Sequence, residues 1–182
     1  MNLANHLTVL RILLVPVFLG CLLYYSPERS YFIYAGATVF VLACLTDAVD
    51  GYIARRFDQQ TVLGSYIDPI ADKLLLLGGF LSLSFMTHLP LSVRIPAWVT
   101  IPVVTRDFVI LIGSTMIFLT KGNLKAEPLV IGKITTFFQM LTLLGALFSG
   151  PVFLQTLLFI STVIFTVLSG IQYLRMGGRL LR

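Results

Sequence analysis

Eight acidic residues occur in this chain of 182, and five of them, all aspartates, fall in the stretch LTDAVDGYIARRFDQQTVLGSYIDPIADK over residues 45–73. Four form two pairs: Asp47 and Asp50 are three positions apart, Asp68 and Asp72 four. On a helix either spacing puts both members on one face, a turn apart. Four carboxylates gathered together repel one another unless cations intervene. Arg55, Arg56 and Lys73 offset part of this, and divalent cations would do so better. Oxygen donors suit Mg²⁺, Mn²⁺ or Ca²⁺, and the stretch has no His or Cys to favour zinc. Two Mg²⁺ would balance four aspartates, and Mg²⁺ commonly bridges carboxylates to substrate phosphates. Gly51 beside Asp50, and Gly64 in the connection between the pairs, allow a backbone to approach a ligand closely. Arg55 supplies the forked guanidinium that suits a phosphate.

The surrounding chain must place these charges. Apolar residues make up 57% of it and charged residues only 12%, against about 45–50% and 25% in soluble domains. Mean hydropathy is +0.94. These values exclude an ordinary soluble domain and indicate an all-α integral membrane protein forming one domain over residues 1–182. Six apolar runs, at about 7–25, 31–50, 69–88, 97–119, 128–149 and 152–174, each approach the ~20 residues a helix needs to cross ~30 Å of hydrocarbon. The last break, SGP at 149–151, makes spans five and six a tight helical hairpin. A connection of about a dozen residues makes spans two and three antiparallel neighbours, so the aspartate pairs can face each other. Ten of the thirteen basic residues fall on the side of the two termini and the RRFDQQ loop. The positive-inside rule puts that side, with both termini, in the cytoplasm. The net charge of +5 therefore reports topology and contact with anionic lipids, not nucleic-acid binding. The first span is expected to be retained rather than cleaved, since Arg11 interrupts it and no A-x-A site follows.

The pattern D47-x2-D50-G51-x2-A54-R55-x8-G64-x3-D68-x3-D72 fixes eight positions over 26 residues. It resembles the signature of the CDP-alcohol phosphotransferase family. Asn5, Thr8 and Arg11 resemble that family's N-terminal N-x2-T-x2-R, and G132-K133-I134-T135-T136 resembles a segment of its fifth helix. The resemblance implies six transmembrane helices, a homodimer in the inner membrane with a cytoplasmic active site, and phosphatidyl transfer from CDP-diacylglycerol to an alcohol. It implies that Asp47, Asp50, Asp68 and Asp72 bind two Mg²⁺ or Mn²⁺, with Asp72 also the general base. Gly51, Ala54, Arg55 and Gly64, with Asn5, Thr8 and Arg11, would contact the CDP moiety.

The acceptor is read from residues 106–139. Arg106 lies mid-span, where a charge is functional by default. Its alternative role, as partner of Asp107, is disfavoured because neighbours on a helix point about 100° apart. Family members acting on glycerol-3-phosphate resemble A-R-E-F with a second arginine eight residues on, and G-K-x-K-T. This chain has T105-R106-D107-F108, Ser114 at the second-arginine position, and Thr135 for the second lysine. Arg106 with K133-x2-T136-x2-Q139 looks more like the cardiolipin synthases of the family. Arg106, Lys133, Thr136 and Gln139 are thus the expected acceptor contacts. The acceptor favoured is phosphatidylglycerol, with glycerol-3-phosphate as the alternative.

Tyr173, Trp98 and the other aromatics near span ends fit an interfacial belt. Gly36 and Gly78–Gly79 permit close helix contact, and Pro16 and Pro102 interrupt spans one and four. A small cation transporter is a remote competing class. It predicts acids spread through the depth of the membrane, whereas these aspartate pairs share one level on two helices.

Overall fold

A computed structural model describes the backbone of residues 3–56, 62–121 and 130–180, and the side chains of 10–46, 72–113, 115 and 130–176. Among the described residues every regular element is helical: α1 (Leu3–Leu23), a 3-10 turn (Pro27–Arg29), α2 (Tyr31–Arg56), α3 (Val62–Phe85), α4 (Ala97–Lys121), α5 (Val130–Leu147) and α6 (Val152–Leu180). Six helices stand where six apolar runs were read. The helices of the fifth and sixth runs, Val130–Leu147 and Val152–Met176, are long and apolar enough to cross a membrane; Leu10–Leu23 and Tyr31–Thr46 are shorter apolar segments. Pro16 and Pro102 sit inside continuous helices, as proline can where neighbouring groups satisfy the freed carbonyl.

The helix ends depart from the hydropathy reading around the charged stretch. α2 runs on to Arg56 and α3 begins at Val62, so the expected connection of about a dozen residues shrinks to 57–61, which lie outside the described residues. Hydropathy ends a span at the first charges, but Ala and Arg are good helix formers and carry the backbone onward. Gly51, Ala54 and Arg55 therefore lie in α2. Gly64, expected in the connection, lies in α3.

The chain divides into two compact units. The first comprises Met1–Arg94 with Ala146–Ser149, the second Ile95–Gly145 with Gly150–Arg182. In the first, α1 packs on both α2 and α3. The core joins Phe18 and Leu22 of α1 to Ala37, Phe40 and Ala43 of α2 and to Leu75, Leu76, Phe80 and Leu83 of α3, all buried. Phe18 and Phe40 meet with ring centroids 5.5 Å apart. A Cβ on Gly36 would stand 3.6 Å from a Leu22 methyl, and one on Gly78 3.2 Å from a Leu19 methyl. Both glycines thus sit at close helix approaches, as expected. His88 donates from Nε2 to the Leu22 carbonyl over 2.9 Å, satisfying one of the acceptors that the end of α1 leaves open.

In the second unit α4 packs on α6, and α5 joins α6 through hydroxyl groups. Thr135 Oγ1 donates to the Ile131 and Phe165 carbonyls at 2.7 and 3.1 Å. Thr142 and Thr162 hydroxyls bond at 2.7 Å, and Thr162 also reaches the Phe138 carbonyl at 3.1 Å. Such hydroxyls join helices where apolar surface alone gives little drive for association. The turn after α5 is a Schellman motif: the Ser149 amide donates to the Ala146 carbonyl (2.9 Å) and the Gly150 amide to the Gly145 carbonyl (3.0 Å). Ser149, at φ 50°, takes the left-handed position that glycine usually fills.

Candidate active site

Helical phase carries the core stripes of the first unit into the charged stretch. On α2 the positions Ile33, Ala37, Phe40 and Ala43 continue in steps of three or four to Asp47, Asp50 and Ala54. On α3 Phe80 and Leu76 lead back to Asp72 and Asp68 in steps of four. On α1 Leu22 and Phe18 lead back by helical turns to Arg11, which is only 1% exposed. Both aspartate pairs thus occupy backbone positions on stripes that, further along each helix, form the core with α1. Asp72 itself is half-buried, as is Lys73. The side chains of Asp47, Asp50, Gly51, Ala54, Arg55, Gly64 and Asp68, and those of Asn5 and Thr8, lie outside the described residues.

The register of the helices places Arg11 among them. α1 and α2 run antiparallel, with Phe18 against Phe40 and Leu22 against Gly36. Continued by two helical turns, this register sets the Arg11 position level with Asp47. α1 and α3 run parallel, with Leu19 against Gly78, and the same continuation sets Arg11 level with the turn between Asp68 and Asp72. The backbone positions of both aspartate pairs and of the buried Arg11 therefore fall at the same end of this unit.

The second unit holds Arg106 and Asp107, 7% and 3% exposed. They form a buried ion pair, Nη1 to Oδ1 at 2.7 Å. This corrects the expectation that helical neighbours would not pair: the flexible arginine stem folds back far enough to reach. The other edge of the guanidinium meets Ser169 of α6, with Nε donating to Oγ over 3.2 Å and Nη2 over 2.7 Å. The Tyr173 ring lies beside it, 5.5 Å from the guanidinium carbon to the ring centroid. A Cβ on Gly132 would come within 3.1 Å of the Tyr173 hydroxyl and 3.4 Å of Nη2, so glycine here lets α5 close on the pair.

Of the four expected acceptor contacts, Arg106 stands on α4 and Lys133, Thr136 and Gln139 on α5. Gly132, Thr135 and Gln139 share the buried side of α5, whereas Lys133 is exposed. Thr136 is half-buried and donates back to the Gly132 carbonyl at 3.2 Å. Gln139 stands two turns beyond Gly132, fully buried, with Nε2 and Oε1 both lacking a hydrogen-bond partner among the described residues.

Ser169 and Tyr173 are the residues that sequence reading missed, the second having been assigned to an interfacial belt. A signal for both exists in the sequence. Thr162, Thr166, Ser169 and Tyr173 recur at steps of four, three and four, a polar stripe along an otherwise apolar helix. On α5, Gly132, Thr135, Gln139 and Thr142 repeat it. Matching stripes on adjacent helices mark the faces that meet.

Comparison with known proteins identifies the family. A family model described as CDP-alcohol phosphatidyltransferase matches residues 1–168. Similar proteins include a probable phosphatidylglycerophosphate synthase of Mycobacterium tuberculosis, 34% identical over 178 residues that cover 94% of this chain and 79% of that protein. The CDP-diacylglycerol–glycerol-3-phosphate 3-phosphatidyltransferase of Bacillus subtilis is 32% identical over 189 residues, covering 94% and 93%. That of Rickettsia typhi is 34% identical over 182 residues, covering 96% of each chain.

Proposed function

Because the chain belongs to the CDP-alcohol phosphatidyltransferase family, we propose that it transfers the phosphatidyl group of CDP-diacylglycerol to glycerol-3-phosphate and releases CMP. The general activity, CDP-alcohol phosphatidyl transfer, follows from the family and sets the transporter reading aside. The choice of acceptor rests on one observation: relatives matching nearly the whole chain are named for glycerol-3-phosphate. Phosphatidylglycerol, the acceptor favoured by sequence, is not supported by them. One argument for it also weakens on structural grounds. Thr135, counted as a missing lysine, is fully buried and bonded to an α6 carbonyl, so its residue type reflects helix packing rather than acceptor charge.

In this reading Asp72 takes the proton of the acceptor hydroxyl. The freed oxygen forms a bond to the lipid-side phosphorus, the pyrophosphate P–O bond breaks, and CMP departs. Arg11 and Arg55 hold the diphosphate from two helices, while Gly51, Ala54 and Gly64 admit the nucleotide to the helix backbone, with Asn5 and Thr8 completing the CDP contacts. Asp47, Asp50, Asp68 and Asp72 would hold two Mg²⁺ or Mn²⁺, which supply neutralisation of the pyrophosphate and of the CMP that leaves. Arg106 binds the acceptor phosphate, with Lys133, Thr136 and Gln139 as further acceptor contacts. All six helices span the inner membrane with the aspartates at its cytoplasmic face, and the protein acts as a homodimer.

The test is CMP release by purified protein given CDP-diacylglycerol, Mg²⁺ and either glycerol-3-phosphate or phosphatidylglycerol. Release with glycerol-3-phosphate is expected. Release with phosphatidylglycerol alone would return the acceptor to the sequence-based choice, and no release with any alcohol would refute the catalytic reading.

A further inference from the structure

We infer that Ser169 and Tyr173 are positioning residues that hold the Arg106 guanidinium in one orientation for a phosphate, an inference that rests on the glycerol-3-phosphate reading above. A guanidinium offers five N–H donors in a rigid fork. Ser169 Oγ accepts from Nε and Nη2 and occupies the side edge of that fork, while Asp107 accepts from Nη1. Among the described residues, one N–H on each terminal nitrogen is left after these bonds. With the side edge taken by Ser169, the terminal nitrogens are the groups that can still meet a phosphate, which guanidinium nitrogens bind through paired N–H donors.

The side edge would otherwise be the competing way to hold an anion. With Ser169 on it, and the Tyr173 ring 5.5 Å from the guanidinium carbon, the head group cannot rotate about its stem without losing contacts on both sides. Arginine side chains have substantial rotamer entropy to lose. An arginine already fixed by its neighbours loses less of it when the ligand arrives. Ser169 and Tyr173 are four residues apart on α6, so one helical face supplies both restraints. Gly132, where a Cβ would stand 3.4 Å from Nη2, lets α5 pass without displacing the fork.

The test compares Ser169→Ala, Ser169→Thr, Tyr173→Phe and Tyr173→Leu with the wild-type protein, measuring KM for glycerol-3-phosphate, KM for CDP-diacylglycerol and kcat separately. Loss of one hydrogen-bond acceptor predicts a rise of about tenfold in the glycerol-3-phosphate KM for Ser169→Ala. The CDP-diacylglycerol KM and kcat should hold within about twofold, and Ser169→Thr should restore most of the loss. Tyr173→Phe, which keeps the ring, should behave as wild type, whereas Tyr173→Leu should raise the same KM. Should Ser169→Ala fail to accumulate, the tyrosine pair decides alone. An unchanged acceptor KM in Tyr173→Leu, or an equal rise in both KM values for either variant, would overturn the inference. Failure of the glycerol-3-phosphate reading would look different, because the wild-type protein itself would then release no CMP with that acceptor.

Discussion

The Arg106–Asp107 pair gives a prediction that separates folding from chemistry. The two side chains are 6% and 4% exposed and meet at 2.7 Å. Removing one partner of such a pair leaves a buried charge uncompensated, at a cost of about 3–5 kcal/mol. Arg106→Met and Asp107→Leu should each lose about that much. The double variant removes both charges and replaces them with apolar groups of similar bulk, a change that is often neutral or favourable. It also strands the Ser169 hydroxyl, costing about 1–3 kcal/mol, so it should lie within about 2 kcal/mol of wild type. The coupling between the sites is then at least about 4 kcal/mol. Reversible unfolding in detergent micelles measures all four corners of the cycle, and CMP release with glycerol-3-phosphate is assayed alongside. The double variant should be folded and almost inactive with that acceptor. If each single change costs less than about 1 kcal/mol, or the double costs the sum of the singles, the pair is not the buried, coupled unit described here.

Asp72→Asn should leave the protein folded and lower kcat by at least about 100-fold, the size of a general-base contribution; retained turnover would remove the assignment of Asp72 as base. Ser149→Gly should stabilise by about 0.5–1 kcal/mol by relieving the left-handed conformation at φ 50°, and an unchanged or lower melting temperature would contradict that turn geometry. Gln139→Met should raise the melting temperature, because it removes two buried polar atoms without hydrogen-bond partners among the described residues that each cost about 1–3 kcal/mol. The same variant should raise the KM for glycerol-3-phosphate, and a stabilised protein with an unchanged KM would take Gln139 out of the acceptor contacts.

Much of the architecture was legible because hydropathy and charge are long-range averages. Six runs of about twenty apolar residues yield six helices, and the three-residue SGP break yields the α5–α6 turn. The errors fall where an average is the wrong instrument. α2 extends past Asp50 to Arg56, and α3 starts seven residues before its apolar run, since backbone hydrogen bonding does not stop where side chains become polar. Gly64, placed in a loop on the strength of its neighbours, is helical for the same reason.

The two candidate clusters differ in legibility because they are built differently. The aspartate pairs, Gly51, Arg55 and Gly64 fall within 26 residues of continuous chain, so local spacing alone singles them out. The Arg106 cluster is assembled from α4, α5 and α6, with Ser169 contributing from 63 residues away, so no local pattern contains it. Counting cations near Arg106 treated the acceptor pocket as another linear motif, and this favoured phosphatidylglycerol. What sets the chemistry of a buried arginine is instead the number of its N–H groups already engaged. Arg106 has one edge on a serine, one nitrogen on a carboxylate and an aromatic face beside it. A fork restrained in this way can recognise a phosphate through geometry with fewer additional cations nearby, because orientation supplies part of what a second positive charge would otherwise supply. The missing arginine at 114 and lysine at 135 are therefore compatible with a glycerol-3-phosphate acceptor.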